Sequence, residues 1–106
     1  MFEELSPTEF QERCASGELW QLLDVREPWE LATASVPDAI SIPMGDVTSR
    51  LDELDREQPV AVLCHSGGRS ARVASLLTQS GFNRVANISG GIDAWSQQLD
   101  SQIPRY

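Results

Sequence analysis

Short apolar runs alternate along this chain with stretches in which apolar residues recur every three or four positions. The clearest run, Val60 to Leu63 behind Pro59, is typical of a strand buried on both faces, and Ala39 to Ile42 is bracketed by Pro37 and Pro43. The stretches between them are typical of helices that bury one face. The predicted strands are Phe2 to Leu5, Trp20 to Val25, Ala39 to Ile42, Val60 to Leu63 and Val85 to Ile88.

The first predicted helix carries two start signals. Ser6 and Glu9 have the spacing of a capping box, in which each side chain binds the backbone N–H of the other residue. Leu5 and Phe10 stand at the two positions of a hydrophobic staple. The helix is predicted to run to about residue 16. Cys14 follows Phe10 by four residues and is predicted to be a small buried residue on the core face.

The remaining helices complete a regular alternation with the strands. Gly81 is predicted to end the longest of them, with Phe82 folded back onto Leu77. Strands alternating with helices indicate an α/β fold with a mainly parallel sheet, and 106 residues suit one domain spanning residues 1–106. Four further helices are predicted. One begins near Glu27, one contains Val47 to Leu54, one begins at Arg69 and ends before Gly81, and one follows Gly91.

Three polar or glycine-rich segments follow predicted strands. They are Asp24-Val25-Arg26, the loop that begins at Cys64, and Ser89-Gly90-Gly91. In parallel sheets, ligands bind outside the carboxyl ends of the strands. We therefore expect these segments to lie at one edge of the sheet and to form one site.

Cys64 stands where a buried strand ends and a loop leads into a helix. Free N–H groups and the positive end of the helix dipole stabilise an anion at a helix start. A cysteine thiol at such a position, or beside an arginine, is therefore shifted toward the thiolate. Gly67 and Gly68 allow successive N–H groups to point inward around a bound anion, and Arg69 follows them. The alternative is an inert buried cysteine beside an ordinary turn.

The acidic composition argues against some classes of partner. Sixteen acidic residues against eight arginines, with no lysine, give a net charge of −8. Nucleic acid and anionic membrane are therefore not expected as partners. Two cysteines and one histidine are too few and too scattered for a zinc site, and we expect neither a metal nor a cofactor. No signal peptide or membrane span is seen in the sequence, so a cytoplasmic location is expected.

Four motifs in order make the chain resemble the rhodanese sulfurtransferases. The segment 64–70, Cys-His-Ser-Gly-Gly-Arg-Ser, is similar to the active-site loop Cys-x-x-Gly-x-Arg-Ser/Thr of that family. Residues 24–30 resemble its Asp-Val-Arg-x-x-x-Glu signature, residues 36–43 its Ile-Pro-Gly-Ala-Ile-Asn-Ile-Pro segment, and residues 90–95 its Gly-Gly-x-x-Ala-Trp ending. One departure concerns a turn, where Asp38 replaces the glycine of the family and Ala34-Ser35 replace Gly-His.

The resemblance implies a five-stranded parallel sheet between helices on both faces and a persulfide carried by Cys64. The donor would be thiosulfate, a polysulfide or a persulfide, and the acceptor cyanide or a thiol. A protein persulfide or a thioredoxin-like protein is a further candidate partner. Asp24 and Arg26 would support the site as members of an ion pair. The residues expected to surround the substrate sulfur are His65, Ser66, Gly67, Gly68, Arg69 and Ser70.

Two of these roles have alternatives. Arg69 binds an anionic donor or ties the loop to the sheet, and His65 acts as a general base or as a solvated side chain that tunes the choice of donor and acceptor. Trp20, Ile92 and Trp95 are predicted to be core residues.

Two other functional classes compete with sulfur transfer. Cysteine phosphatases and arsenate reductases have Cys-x5-Arg loops, in which a larger ring of N–H groups suits a tetrahedral oxyanion. Here four residues separate Cys64 from Arg69, so the shorter loop favours a single sulfur atom. A sulfur-carrier or sensing module with low turnover is the other alternative.

Overall fold

The computed structural model describes residues 2–106, and its centre is a five-stranded sheet in which all neighbouring strands are parallel. The strands are β1 (Glu3–Leu5), β2 (Gln21–Asp24), β3 (Ile40–Ser41), β4 (Val60–Leu63) and β5 (Val85–Ile88). Their order across the sheet is β1-β5-β4-β2-β3. This confirms the α/β fold expected from the sequence.

Within residues 2–106, three α-helices connect strands and a fourth follows the last strand. The longest, α3 (Gly68–Gln79), has 12 residues, and within residues 2–106 no helix is both long and apolar enough to cross a bilayer. Two 3₁₀ segments, Met44–Asp46 and Thr48–Glu53, lie between β3 and β4. The helices are α1 (Pro7–Ala15), α2 (Pro28–Thr33), α3 (Gly68–Gln79) and α4 (Gly91–Gln98).

Alternate residues of the strands enter two hydrophobic cores, one on each face of the sheet. In β4, Val60 and Val62 pack on the side of α3 and the 3₁₀ segments, whereas Ala61 and Leu63 pack on the side of α1 and α4. All four residues have no exposed surface, since β4 is the central strand and both its faces are covered. Cys64 continues the alternation and joins the α3 side.

The predicted ends of α1 and α3 are confirmed. Ser6 Oγ accepts from the Glu9 N–H at 3.1 Å, and a Glu9 carboxylate oxygen accepts from the Ser6 N–H at 2.9 Å. At the C-terminal end of α3, the Phe82 N–H donates to the Leu77 carbonyl at 3.2 Å, and Gly81 between them has φ +91°. A positive φ is easily adopted by glycine, so the chain leaves α3 there in a Schellman-type turn.

Asp38, which stands where the family motif has glycine, adopts a left-handed backbone conformation. Its φ is +66°, the one positive value among the non-glycine residues that the structure describes. Aspartate tolerates the left-handed region better than most residues because its short side chain can bond locally. A turn therefore forms at Pro37 and Asp38 without a glycine.

Three local predictions were wrong. The segment of Val47, Leu51 and Leu54 forms 3₁₀ turns rather than one helix, and Arg50 interrupts them with φ −124° and ψ 22°. Strands β1, β2 and β3 are each one or two residues shorter than predicted, because residues 2, 20, 25, 39 and 42 at their ends lie outside the regular ladder. Cys14 is exposed rather than buried. The Phe10 ring packs against the rings of Trp20 and Trp95, so the hydrophobic core ends at Phe10 and does not extend to Cys14 in the last turn of α1.

Of the predicted core residues, Ile92 is buried and 1% exposed. Trp20 and Trp95 are half-buried and pack against the core on the α1 and α4 side.

Candidate active site

The Cys64 sulfur lies at the carboxyl end of β4 and is almost closed off from solvent. The residue is 1% exposed. Its Sγ accepts a hydrogen bond from the Gly67 N–H at 3.0 Å and lies 3.2 Å from the Ser70 hydroxyl oxygen. A sulfur that carries negative charge is stabilised by such donors and by the start of the 12-residue helix α3. One backbone N–H group and one hydroxyl group therefore lie within hydrogen-bond distance of the Cys64 sulfur.

Gly67 shapes the loop between Cys64 and α3. It is the N-cap of α3 and has φ +112°, a conformation that side chains disfavour. This conformation turns its N–H back onto the sulfur of the residue three positions earlier. Ser66 and Gly68 are exposed, and His65 and Arg69 are half-buried.

The N-terminus of α4 holds the same loop from behind. The Ile92 N–H donates to the Cys64 carbonyl at 2.9 Å, and the Asp93 N–H donates to the His65 carbonyl at 3.1 Å. The approach is so close that a Cβ on Gly91 would lie 2.4 Å from both carbonyl oxygens. The glycine-rich segment after β5 therefore fixes the backbone of the candidate nucleophile, and the three segments expected at one edge of the sheet do meet there.

Arg69 is bound to a buried carboxylate. Its two terminal nitrogens donate to the two oxygens of Glu30 at 2.6 and 2.7 Å, and Glu30 is 2% exposed. The hydrogen bonds from Arg69, the Glu27 N–H and the Tyr106 hydroxyl lower the pKa of Glu30 to about 2, and Glu30 raises the pKa of Arg69. The bidentate pair ties α3 to α2 beside Cys64.

Asp24 and Arg26 form a fully buried ion pair behind this contact. Arg26 Nη2 lies 2.8 Å from Asp24 Oδ2, and both side chains have no exposed surface. The remaining donors of Arg26 reach the Ala34 carbonyl at 2.8 Å and the Tyr106 hydroxyl at 3.0 Å. The Tyr106 hydroxyl in turn donates to Glu30 at 2.7 Å, so a continuous chain of polar contacts runs from Asp24 to Arg69.

An aromatic row leads from the surface to the residue after Cys64. The rings of His65 and Tyr106 are stacked at 4.2 Å with 12° between their planes. Tyr106 meets the ring of Trp29 edge-on at 6.1 Å. The stacking covers one face of His65 with an aromatic ring.

The Ser70 hydroxyl connects the sulfur to β5. It donates to Oδ1 of Asn87, whose Nδ2 donates to the Glu4 carboxylate at 3.1 Å and to the Gly67 carbonyl at 3.3 Å. These partners fix the orientation of the amide. A hydroxyl has one hydrogen, so while Ser70 donates to Asn87 it can only accept from a Cys64 thiol. It must turn to donate to a thiolate.

Sequence reasoning missed three contributors to the site. Glu30 stands in a quoted motif, but its contact with Arg69 spans 39 residues and has no local signal. Tyr106 lies 80 residues from Arg26 and likewise has none. Asn87 did offer a signal, because it is the one polar residue in the strand Val85–Ile88. Among residues 2–106, no three His, Cys, Asp or Glu side chains are grouped so as to hold a metal ion.

Comparison with known proteins assigns the family. The sequence model of the rhodanese-like domain matches residues 6–98, which is most of the chain. The chain belongs to the rhodanese-like domain family. A sulfurtransferase of Allochromatium vinosum is 36% identical over 97 residues, covering 92% of this chain and 91% of that protein. Thiosulfate sulfurtransferase GlpE of Actinobacillus pleuropneumoniae is 34% identical over 96 residues, covering 91% and 88%.

A solved structure agrees with the assignment to the rhodanese-like fold. The rhodanese-related protein from Thermoplasma volcanium superposes with a TM-score of 0.82 at 31% identity, covering 92% of this chain and 94% of that one. These relatives support sulfur transfer as the general function of this rhodanese-like domain.

Proposed function

We propose that this rhodanese-like domain transfers sulfane sulfur through a persulfide on Cys64. In the first step the Cys64 thiolate attacks the outer sulfur of thiosulfate. The bond between the two sulfur atoms of thiosulfate breaks, and sulfite leaves with the electron pair. In the second step cyanide or a thiolate attacks the outer persulfur, and the Cys64 thiolate is released. Electrons balance in both steps, so no metal or redox cofactor is required.

The observation that carries the proposal is the position of Sγ within reach of the Gly67 N–H at the start of α3. The same donor and the neighbouring first-turn N–H groups would stabilise the terminal sulfur of the persulfide, since an α-helix leaves these groups without partners inside the helix. The substrate-contact residues 65–70 are part of this proposal. Asp24 and Arg26 are proposed to hold α2 and the loop in position.

The alternative of phosphoryl transfer fits the site less well. A phosphatase loop needs its arginine to bind the oxygens of the ester, and both terminal nitrogens of Arg69 are engaged by Glu30. We therefore expect negligible hydrolysis of a phosphate ester under conditions in which sulfur transfer is measurable.

The test is intact-mass measurement after incubation with thiosulfate and removal of the donor. The wild type should gain the mass of one sulfur atom and lose it on addition of cyanide, with thiocyanate as the product. Cys64→Ser should gain none, whereas Cys14→Ser should behave as the wild type. Turnover by Cys64→Ser, or loading on Cys14 alone, would refute the proposal. Phosphatase turnover exceeding sulfur transfer would reverse the ranking of the two functions.

A further inference from the structure

Trp29 is the exposed end of the aromatic row that reaches the candidate nucleophile. Its side chain is 65% exposed, and the other large hydrophobic residue exposed to this extent in residues 2–106 is Leu19, at 74%. Trp29 contacts Tyr106, and Tyr106 stacks on His65, which directly follows Cys64. We call the three side chains Trp29, Tyr106 and His65 the aromatic ledge. An exposed tryptophan continuous with an active site is typical of an interaction surface.

The charged residues around the aromatic ledge indicate the charge that a binding partner should carry. Arg69 is paired with Glu30, and Arg105 with Asp93, so these arginines offer little net positive charge to an anion. Glu27 is exposed two residues before Trp29, and no salt bridge joins it to an arginine within residues 2–106. The arginines that form salt bridges within residues 2–106 are Arg13, Arg26, Arg50, Arg69, Arg84 and Arg105.

The same balance holds for the whole molecule. Those six salt-bridged arginines are most of the eight basic residues, and sixteen acidic residues leave a net charge of −8. Such a surface attracts cations and repels small dianions at long range. A tryptophan face and a tyrosine face are also suitable contacts for arginine and lysine side chains. The negative net charge and the exposed aromatic faces therefore both favour a positively charged partner.

We propose that the aromatic ledge is the docking surface for a positively charged protein segment that presents a cysteine thiol to Cys64. The proposal rests on the proposed function, because the thiol is the acceptor of the sulfur. The partner thiolate attacks the outer sulfur of the Cys64 persulfide, a new sulfur–sulfur bond forms on the partner, and the bond to Cys64 Sγ breaks. The electron pair returns to Cys64 as thiolate, and the partner leaves as a persulfide.

The experiment uses the sulfur-loaded protein and three acceptors. Two are peptides of equal length that differ only in the residues flanking one cysteine, arginine in one and glutamate in the other. The third is cyanide. The rate of each peptide with a small aromatic disulfide normalises the intrinsic reactivity of its thiol. We expect the arginine peptide to have a kcat/KM about tenfold higher than the glutamate peptide at low salt, with the difference shrinking as salt is added.

Substitutions at the two exposed hydrophobic residues then locate the surface. Trp29→Ala should lower the ratio of arginine-peptide to cyanide rates about tenfold, mainly through KM, as expected for an anchor residue. Leu19→Ala is the matched control and should leave that ratio unchanged. Equal rates for the two peptides, or an unchanged ratio in Trp29→Ala, would overturn the docking proposal. If the wild type transfers no sulfur even to cyanide, the proposed function itself fails, and this outcome is distinct from the others.

Discussion

Two neighbouring strands of the sheet run into a helix through a left-handed glycine. β4 leads through Gly67, with φ +112°, into α3, and β5 leads through Gly90, with φ +77°, into α4. Four residues, 64–67, separate strand from helix at the first junction, whereas two residues, 89–90, do so at the second. The longer loop leaves room for a side chain within the turn, and that side chain is Cys64.

The N–H groups of the two helix starts have different acceptors. At the second junction the Ile92 and Asp93 N–H groups bind the carbonyls of Cys64 and His65. At the first junction the Gly67 N–H binds the Cys64 sulfur. A helix start is therefore an anion site only where protein carbonyls have not already taken its donors. The N–H groups of the second junction therefore hold the backbone of Cys64 and His65, which belong to the first junction.

The largest expected effect comes from exchanging the side chains that follow the two strands. Cys64→Ser should lose sulfur loading entirely. Adding Ser89→Cys to that variant should not restore it, because Ser89 lies beside the Glu4 carboxylate, 2.7 Å from its Oγ, rather than beside free donors. Thiocyanate formation from thiosulfate and cyanide measures both variants. Recovery of activity by the double variant would show that either junction can serve the chemistry.

Alanine should be much more destabilising at the first residue of α4 than at the first residue of α3. Gly91→Ala should lower the free energy of unfolding by more than about 2 kcal/mol, because a positive φ of +60° is lost or strained and the new Cβ meets two carbonyl oxygens. Gly68→Ala meets nothing within 4 Å and should stay within about 1 kcal/mol of the wild type. Urea denaturation compares the two, and equal losses would contradict the assigned roles.

Acid should weaken the tie between α3 and α2. The pKa of Glu30 is lowered to about 2, so its stabilising contribution is present above the unfolded value and is lost as pH falls through about 2. A loss on the order of 3 kcal/mol is expected between about pH 5 and pH 2.

Glu30→Gln should flatten this dependence of unfolding on pH. Glu53→Gln, at an exposed pair with Arg50, is the control and should keep the slope close to that of the wild type. An unchanged slope in Glu30→Gln would show that the Arg69 pair does not stabilise the fold.

The smallest expected effect concerns the hydroxyl beside the sulfur. Ser70→Ala removes a donor to the thiolate, whereas Asn87→Ala frees the Ser70 hydrogen for it. Alkylation of Cys64 by iodoacetamide at neutral pH should therefore slow in the first variant and quicken in the second, each by about two- to tenfold. Thermal unfolding confirms that both variants are folded, and changes in the same direction would contradict the two-way role of the hydroxyl.

Sequence reasoning worked where the determinants are local. Val60–Leu63 was predicted to the residue because the central strand buries both faces and leaves an uninterrupted apolar run. The capping box at Ser6 and the turn at Gly81 depend on residues within four or five positions. Cys64 and its loop were located for the same reason, although the assignment of roles to the residues of that loop stays a prediction.

What the sequence did not settle concerns contacts between distant segments and a local period that two kinds of helix share. Cys14 has the helical spacing of a core residue, but tertiary packing ends before it. The two roles open for Arg69 could not be distinguished from the sequence, because its partner Glu30 lies 39 residues away in α2. The 3₁₀ turns near Leu51 have the same apolar period over a few residues as an α-helix, so periodicity alone does not separate them.

The burial of Cys64 has a consequence for the selectivity of the proposed persulfide. A persulfide has two electrophilic sulfur atoms, and attack on the inner one would give a mixed disulfide and release hydrosulfide. The inner atom is Sγ itself, in a residue that is 1% exposed, whereas the outer atom stands about 2 Å farther along the sulfur–sulfur bond. An incoming thiolate therefore meets the outer atom first. The burial of the Cys64 side chain therefore favours attack at the outer sulfur atom, which transfers sulfur to the acceptor instead of releasing hydrosulfide.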